Sequence, residues 1–319
     1  MTPRDELDFP SIRLLDGAMA TELERRGCDI SGPLWSAHVL DSSPDTIAAV
    51  HLDYLRAGAD CISTASYQVS AEGYRELGRD PREAQRALRH SVEVAEQARG
   101  IYAMESARRV WIAASLGPYG AVLHNGAEYH GRYAIGVDEL VAFHAERLVT
   151  LAETRADLIA FETIPSLDEA HAILRALEQT PSLAAWISFT CRDAVHVAHG
   201  ESLRACVAAT AASPQVVAIG INCTAPHLVT ALIGEALRGS GGNKAVVVYP
   251  NSGEVWDAAT RTWQGKTDPA GFGNLACSWF TAGAQAVGGC CRTGPSHVAA
   301  LHDAAVLAAR RTSVLTSAS

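Results

Sequence analysis

Eight segments of continuous apolar character, each followed by a stretch with helical spacing, recur along this 319-residue chain. No other feature limits its fold so strongly. Strands that are apolar at every position are buried on both faces, the condition of a parallel sheet sheathed by helices. The expected strands run over 13–17, 59–67, 110–116, 158–162, 184–190, 216–223, 245–249 and 284–290. Helix signals separate them: Ser43-Pro44-Asp45 offers a cap, an N1 proline and a first-turn acid, and Ser166 with Glu169 reads as a capping box. A long polar loop is expected over 117–136. Eight such units in about 300 residues fit a single (β/α)8 barrel spanning residues 1–319. The alternative is an open doubly wound sheet, but no GxGxxG follows a strand and no compositional break marks a linker.

The chain is 48% hydrophobic, ample for a large core, and its net charge of -9 comes without any basic cluster. Nucleic acid is therefore not an expected partner. The first eight residues lack the basic start and apolar core of a signal peptide, and no apolar run approaches the ~20 residues of a membrane helix. A cytoplasmic protein, with no membrane partner, is expected. Eight cysteines in a reducing compartment point to metal binding or catalysis rather than a disulfide framework.

In a barrel the carboxyl ends of all strands face one site. Those ends carry Asp16-Gly17, Thr64 to Gln68, Gly117-Pro118-Tyr119, Glu162-Thr163, Ser188 to Thr190, Asn222-Cys223, Tyr249 to Asn251 and Cys290-Cys291. Acids, aromatics, amides and thiols converge. Cys223, Cys290 and Cys291 form a three-thiolate set suited to zinc, against the alternatives of buried free thiols or a vicinal disulfide. Adjacent strand residues point to opposite faces, so both Cys290 and Cys291 can ligate only if the backbone turns, which Gly288 and Gly289 permit. Cys28, Cys61, Cys191, Cys206 and Cys277 have no such setting and read as core or incidental.

Three thiolates leave one position open but make a poor hydrolytic centre. Such a site is suited to holding a fourth thiolate, deprotonated by coordination and still nucleophilic. Alkyl transfer to a substrate thiol is the implied reaction. Glu162 ends an apolar strand and suits an ammonium group; Asp16 sits likewise. The amides of Gly17 and Ala18 suit a carboxylate. Together these describe an amino-acid thiol. Trp35, Tyr67, Tyr119, Tyr249 and Trp256 are singly core-like, but as a group they offer a wall for a cationic donor. His124, His130, His196 and His199 read as loop residues.

The residues that carry this reading also resemble a known family, the zinc-dependent homocysteine S-methyltransferases. The likeness runs through Leu15-Asp16-Gly17-Ala18-Met19-Ala20-Thr21, Thr64-Ala65-Ser66-Tyr67-Gln68, Gly117-Pro118-Tyr119-Gly120-Ala121 and Phe161-Glu162-Thr163-Ile164-Pro165. It continues through Gly220-Ile221-Asn222-Cys223-Thr224, Tyr249-Pro250-Asn251-Ser252-Gly253-Glu254 and Gly288-Gly289-Cys290-Cys291. The resemblance implies zinc ligands at Cys223, Cys290 and Cys291, a homocysteine-binding acid at Glu162, and help from Asp16, Gly17 and Ala18. Some relatives have Asp-Gly-Gly where this chain has Asp16-Gly17-Ala18. The subgroup it most resembles takes a methyl group from S-methylmethionine, or less readily from S-adenosylmethionine, and gives methionine. Substrate-binding roles are expected for Trp35, Tyr67, Gln68, Tyr119, Asn222 and Asn251. The oligomeric expectation is a monomer or small homo-oligomer. Two other readings stand beside this one: methyl transfer to another small thiol or selenol, and a zinc-thiolate redox sensor.

Overall fold

Seven parallel strands pair in the order β1-β2-β3-β4-β5-β6-β9 in the computed structural model, which describes residues 9–30, 36–257, 262–264 and 268–316. They are β1 (Cys61–Ser63), β2 (Trp111–Leu116), β3 (Leu158–Ile164), β4 (Ala185–Phe189), β5 (Val216–Asn222), β6 (Ala245–Tyr249) and β9 (Ala286–Val287). The expected first strand is present only as two single-residue parallel bridges, Leu14 to Val287 and Leu15 to Cys61. Those bridges join the two edges of the sheet. Leu15 N donates to Val287 O at 2.8 Å and Asp16 N to Cys61 O at 3.1 Å. The sheet thereby closes on itself, as the barrel reading requires.

Alternation along the strands explains why they are apolar throughout. Leu15, Cys61, Trp111, Ala113, Leu158, Ala160, Trp186, Ala218, Val247 and Ala286 pack together inside the barrel, with Phe9 and Ile12. Two tryptophans set among alanines fill the interior, and Phe9 meets Trp186 edge-on at 6.2 Å. The residues between them, such as Ile62, Ile112, Ile159, Ile187, Ile219, Val246 and Val248, face the helices in the larger outer core.

Several helix boundaries follow their capping chemistry. Ser166 Oγ accepts from Glu169 N at 3.2 Å at the start of the helix Leu167–Leu177. Asp268 accepts from Gly271 N at 2.9 Å ahead of Pro269–Ala282. Two expectations are corrected. Ser43 makes no side-chain cap bond to the helix Pro44–Ala57. The carboxylate of Glu169 does not complete a capping box: it accepts from Tyr119 N at 2.7 Å and the Tyr133 hydroxyl at 2.8 Å, and contacts His144 Nε2 at 3.1 Å.

The expected second strand is shorter than read. Beyond Ser63 the Thr64 hydroxyl accepts from Ser115 N at 3.1 Å and Ser66 Oγ donates to Ser115 O at 2.8 Å. Thr64 N still donates to Ala113 O at 3.0 Å, after which side-chain bonds take over from the ladder and residues 65–68 turn. The polar loop after β2 is not structureless. It holds a helical turn, Tyr119–Val122, and a 3-10 turn, Ala127–Tyr129. The loop after β6 carries an antiparallel hairpin, β7 (Val255–Asp257) with β8 (Thr262–Gln264). Among the described residues no helix is long and apolar enough to cross a membrane.

Candidate metal and substrate site

The sulfurs of Cys223, Cys290 and Cys291 all lie within 4.8 Å of one another, at the carboxyl ends of β5 and β9. Cys223 and Cys290 are joined as a disulfide, and Cys291 is a free thiol with its sulfur 3.9 Å from that of Cys223. A tetrahedral metal with sulfur bonds of ~2.3 Å needs sulfurs about 3.8 Å apart, so the Cys223–Cys291 edge fits a metal as it stands. Reduction of the Cys223–Cys290 bond completes a soft three-sulfur donor set. Burial pushes the Cys291 thiol up to about 11, so without a metal it stays protonated at neutral pH.

The backbone that brings the cysteines together differs from the expectation. Positive φ falls at Cys223 (47°) and Arg292 (67°), not at Gly288 or Gly289. The two glycines provide clearance instead. A Cβ on Gly288 would sit 2.6 Å from Leu15 Cβ, and one on Gly289 would sit 2.3 Å from Thr293 Oγ1. The chain then turns through Thr293, whose N and Oγ1 both donate to Cys290 O, at 3.1 and 2.6 Å. The segment after β6 braces the site: Cys290 N donates to Pro250 O, Ser252 N to Cys291 O and Asn251 N to Thr224 O.

One cavity adjoins the sulfurs and includes Asp16, Gly17, Ala18, Tyr67, Gln68 and Glu162 among its walls. Asp16 accepts from Ser63 N at 2.7 Å and from Ser63 Oγ at 3.2 Å. Burial, opposed by the bonds from Ser63 and reinforced by the charge of Glu162, raises its carboxyl to about 8. Glu162 accepts from Ser115 Oγ at 2.7 Å, and burial raises it to about 7. Two acids held above their ordinary range in one cavity are primed for a cation, whose arrival restores their ionised forms. No Lys, Arg or His lines this cavity among the described residues.

Other expected residues take different places. Asn222 lines the cavity, but its amide is committed: Oδ1 accepts from Thr163 N at 2.8 Å and Nδ2 donates to Thr163 Oγ1 at 2.9 Å. Thr163 has φ 61°, a costly conformation for a β-branched residue, and the Asn222 side chain pins it there. Gln68 Nε2 donates to Ala121 O at 3.2 Å. Ala18 N donates to Thr293 O at 3.1 Å, so the carboxylate expectation rests on Gly17. Tyr119 packs edge-on against Tyr133 and Phe143, away from the cavity, and Asn251 is not in its wall. Trp35 and the Trp256 side chain lie outside the described residues. His196 and His199 pair locally with Asp193 and Glu201.

Sequence reading overlooked Glu128 and Tyr129, which the 3-10 turn delivers to the cavity wall. In the sequence they are an acid and an aromatic in a polar loop, with no periodicity to separate them from solvated neighbours. Ser115 and Thr163 were also overlooked as supports; both lie on or beside predicted strand ends.

A family model described as homocysteine S-methyltransferase matches residues 13–305. The chain is 45% identical over 297 residues to homocysteine S-methyltransferase YbgG of Bacillus subtilis, covering 92% of this chain and 94% of that one. It is 42% identical over 304 residues to a selenocysteine Se-methyltransferase of Brassica oleracea var. italica, covering 91% and 87%. The metallated form of the homocysteine methyltransferase MmuM from Escherichia coli superposes with a TM-score of 0.81 at 42% identity, covering 94% of this chain and 97% of that one.

Proposed function

The chain belongs to the homocysteine S-methyltransferase family, and from that premise we propose that it methylates homocysteine with a sulfonium donor, forming methionine at a zinc site. The observation that carries this reading is the trio of cysteine sulfurs beside a cavity whose ionisable wall is acidic and without cations. Zinc held by Cys223, Cys290 and Cys291 would keep the homocysteine sulfur ionised yet nucleophilic at neutral pH.

The residues of the chain supply binding and orientation. Glu162, held by Ser115, takes the homocysteine ammonium group, and Asp16 adds its field. The Gly17 amide receives the carboxylate. The homocysteine sulfur then attacks the sulfonium methyl in line, the donor's own carbon–sulfur bond breaks, and the donor leaves as a neutral thioether. Opposite charges cancel as the transition state forms, so a dry cavity assists. No general base is needed.

The test is methionine formation from homocysteine by reduced, zinc-loaded protein, with S-methylmethionine and S-adenosylmethionine in parallel. Turnover with either supports the reading, and the ratio of rates names the donor. No turnover with either, in protein shown to hold one zinc, overturns it. The likeness to a selenocysteine Se-methyltransferase favours a second reading, in which a selenol amino acid is the acceptor. Selenocysteine in the same assay decides between the acceptors.

A further inference from the structure

Three carboxylates reach the cavity beside the sulfurs: Asp16, Glu162 and Glu128. The first two are engaged, Asp16 by Ser63 and Glu162 by Ser115. Each also feels the field of the other. Glu128 is different. It is only 8% exposed, and its Oε2 is buried without a hydrogen-bond partner. Among the described residues no side chain answers that oxygen. A buried carboxylate oxygen left unpaired is costly, and folded proteins keep such groups where a ligand completes them.

The position of Glu128 is fixed by its backbone. Tyr129 N donates to Gly126 O at 3.0 Å and Gly131 N to Ala127 O at 2.8 Å. Gly120 lies so close that a Cβ there would meet Glu128 N at 2.5 Å. Glu128 shares the wall of this cavity with Tyr129 and Cys291.

Charge counting then assigns its partner. This step rests on the reading given under the proposed function. Homocysteine brings one ammonium group, matched by Glu162 with Asp16. The remaining cation of the reaction is the methyl donor, and the cavity wall offers it no other unpaired acid. We propose that Glu128 is the recognition residue for the positively charged methyl donor, its carboxylate meeting the sulfonium or the α-ammonium group.

The two cationic groups have different kinetic consequences. Sulfonium charge disappears during transfer, so a carboxylate beside it favours the ground state; its removal raises the donor KM and leaves kcat equal or higher. Ammonium charge persists, so its loss raises the donor KM with kcat unchanged.

The test compares wild type, Glu128→Gln and Glu128→Asp, all reduced and zinc-loaded, with S-methylmethionine as donor. For Glu128→Gln the donor KM rises at least about tenfold, the expected loss for a charge-assisted contact, while the homocysteine KM stays within twofold. Glu128→Asp, which retains the charge, recovers part of the donor KM. Methionine used as an inhibitor competitive with the donor separates the two cations: its inhibition constant is unchanged if Glu128 meets the sulfonium, and rises if it meets the ammonium. A donor KM within twofold of wild type in folded Glu128→Gln of normal zinc content overturns the proposal, as does an equal rise in both KM values. Absence of turnover in the wild type would instead overturn the assignment of the reaction.

Discussion

Replacing Asn222 by Ala removes both hydrogen bonds to Thr163 at once. The amide N–H of Thr163, fully inside the protein, loses its acceptor at 2.8 Å, and its hydroxyl loses the Nδ2 donor at 2.9 Å. An unsatisfied buried donor costs about 1–3 kcal/mol and a lost neutral hydrogen bond about 0.5–1.5 kcal/mol. The sum is about 1.5–4.5 kcal/mol. The positive φ of Thr163 sets an upper bound, because release of its strain returns part of that loss. For a chain of 319 residues each kcal/mol lowers the melting temperature by about 1.5 °C, so a drop of roughly 2–7 °C is expected. Thr163→Ala keeps the main-chain bond but leaves the buried Asn222 Nδ2 without its acceptor, so it should lose about 1–3 kcal/mol. Thr163 follows Glu162, and Asn222 precedes Cys223, so Asn222→Ala should also raise the homocysteine KM and weaken metal retention. Thermal unfolding of both variants, with metal analysis, is the assay. A melting temperature for Asn222→Ala within about 1 °C of wild type would falsify the clamp.

Gly220→Ala would place a methyl 1.8 Å from Ser188 Oγ and 2.9 Å from Val247 Cγ2; overpacking of this kind costs about 1–3 kcal/mol, and an unchanged unfolding curve would contradict the close approach. Burial raises the Glu162 carboxyl from its ordinary 4.5 to about 7, so the ligand-free protein should be most stable below pH 4.5 relative to Glu162→Gln, losing that advantage as pH rises to 7. Parallel melting curves for the two proteins across that window would count against the raised value. Homocysteine affinity should strengthen over the same interval as the carboxylate forms. Cys290→Ala should lose bound metal and turnover together; full activity in that variant would sink the three-sulfur site.

The barrel was legible because apolar strands and helical spacing repeat with little interruption, and the strands at 158, 216 and 245 begin at the residues read from the sequence. The cysteines were legible for a different reason: once strand ends are known, the barrel brings them together. What escaped depended on contacts between distant segments. Asn222 reads as a substrate amide until its partner Thr163, 59 positions away, is seen. Tyr119 is an aromatic at a strand end, yet its ring turns toward Phe143. Gly288 and Gly289 invite a conformational explanation, whereas their packing against Leu15 and Thr293 explains them by volume. Glu128 carries no local signal, since its burial is created by a loop folding back.

The bridges from Leu14 and Leu15 to Val287 and Cys61 have a temporal meaning. A chain emerging from the ribosome presents Asp16 early and Cys290 only near its end. The edge that Leu14 must pair with does not exist until β9 has been made. The three cysteine sulfurs and the acid at Asp16 are therefore brought together by the same late, long-range step that seals the sheet, a step slowed by the length of chain it must close. An incomplete chain can hold most of the strands yet none of the finished chemistry, so competence to capture the thiol substrate arrives all at once.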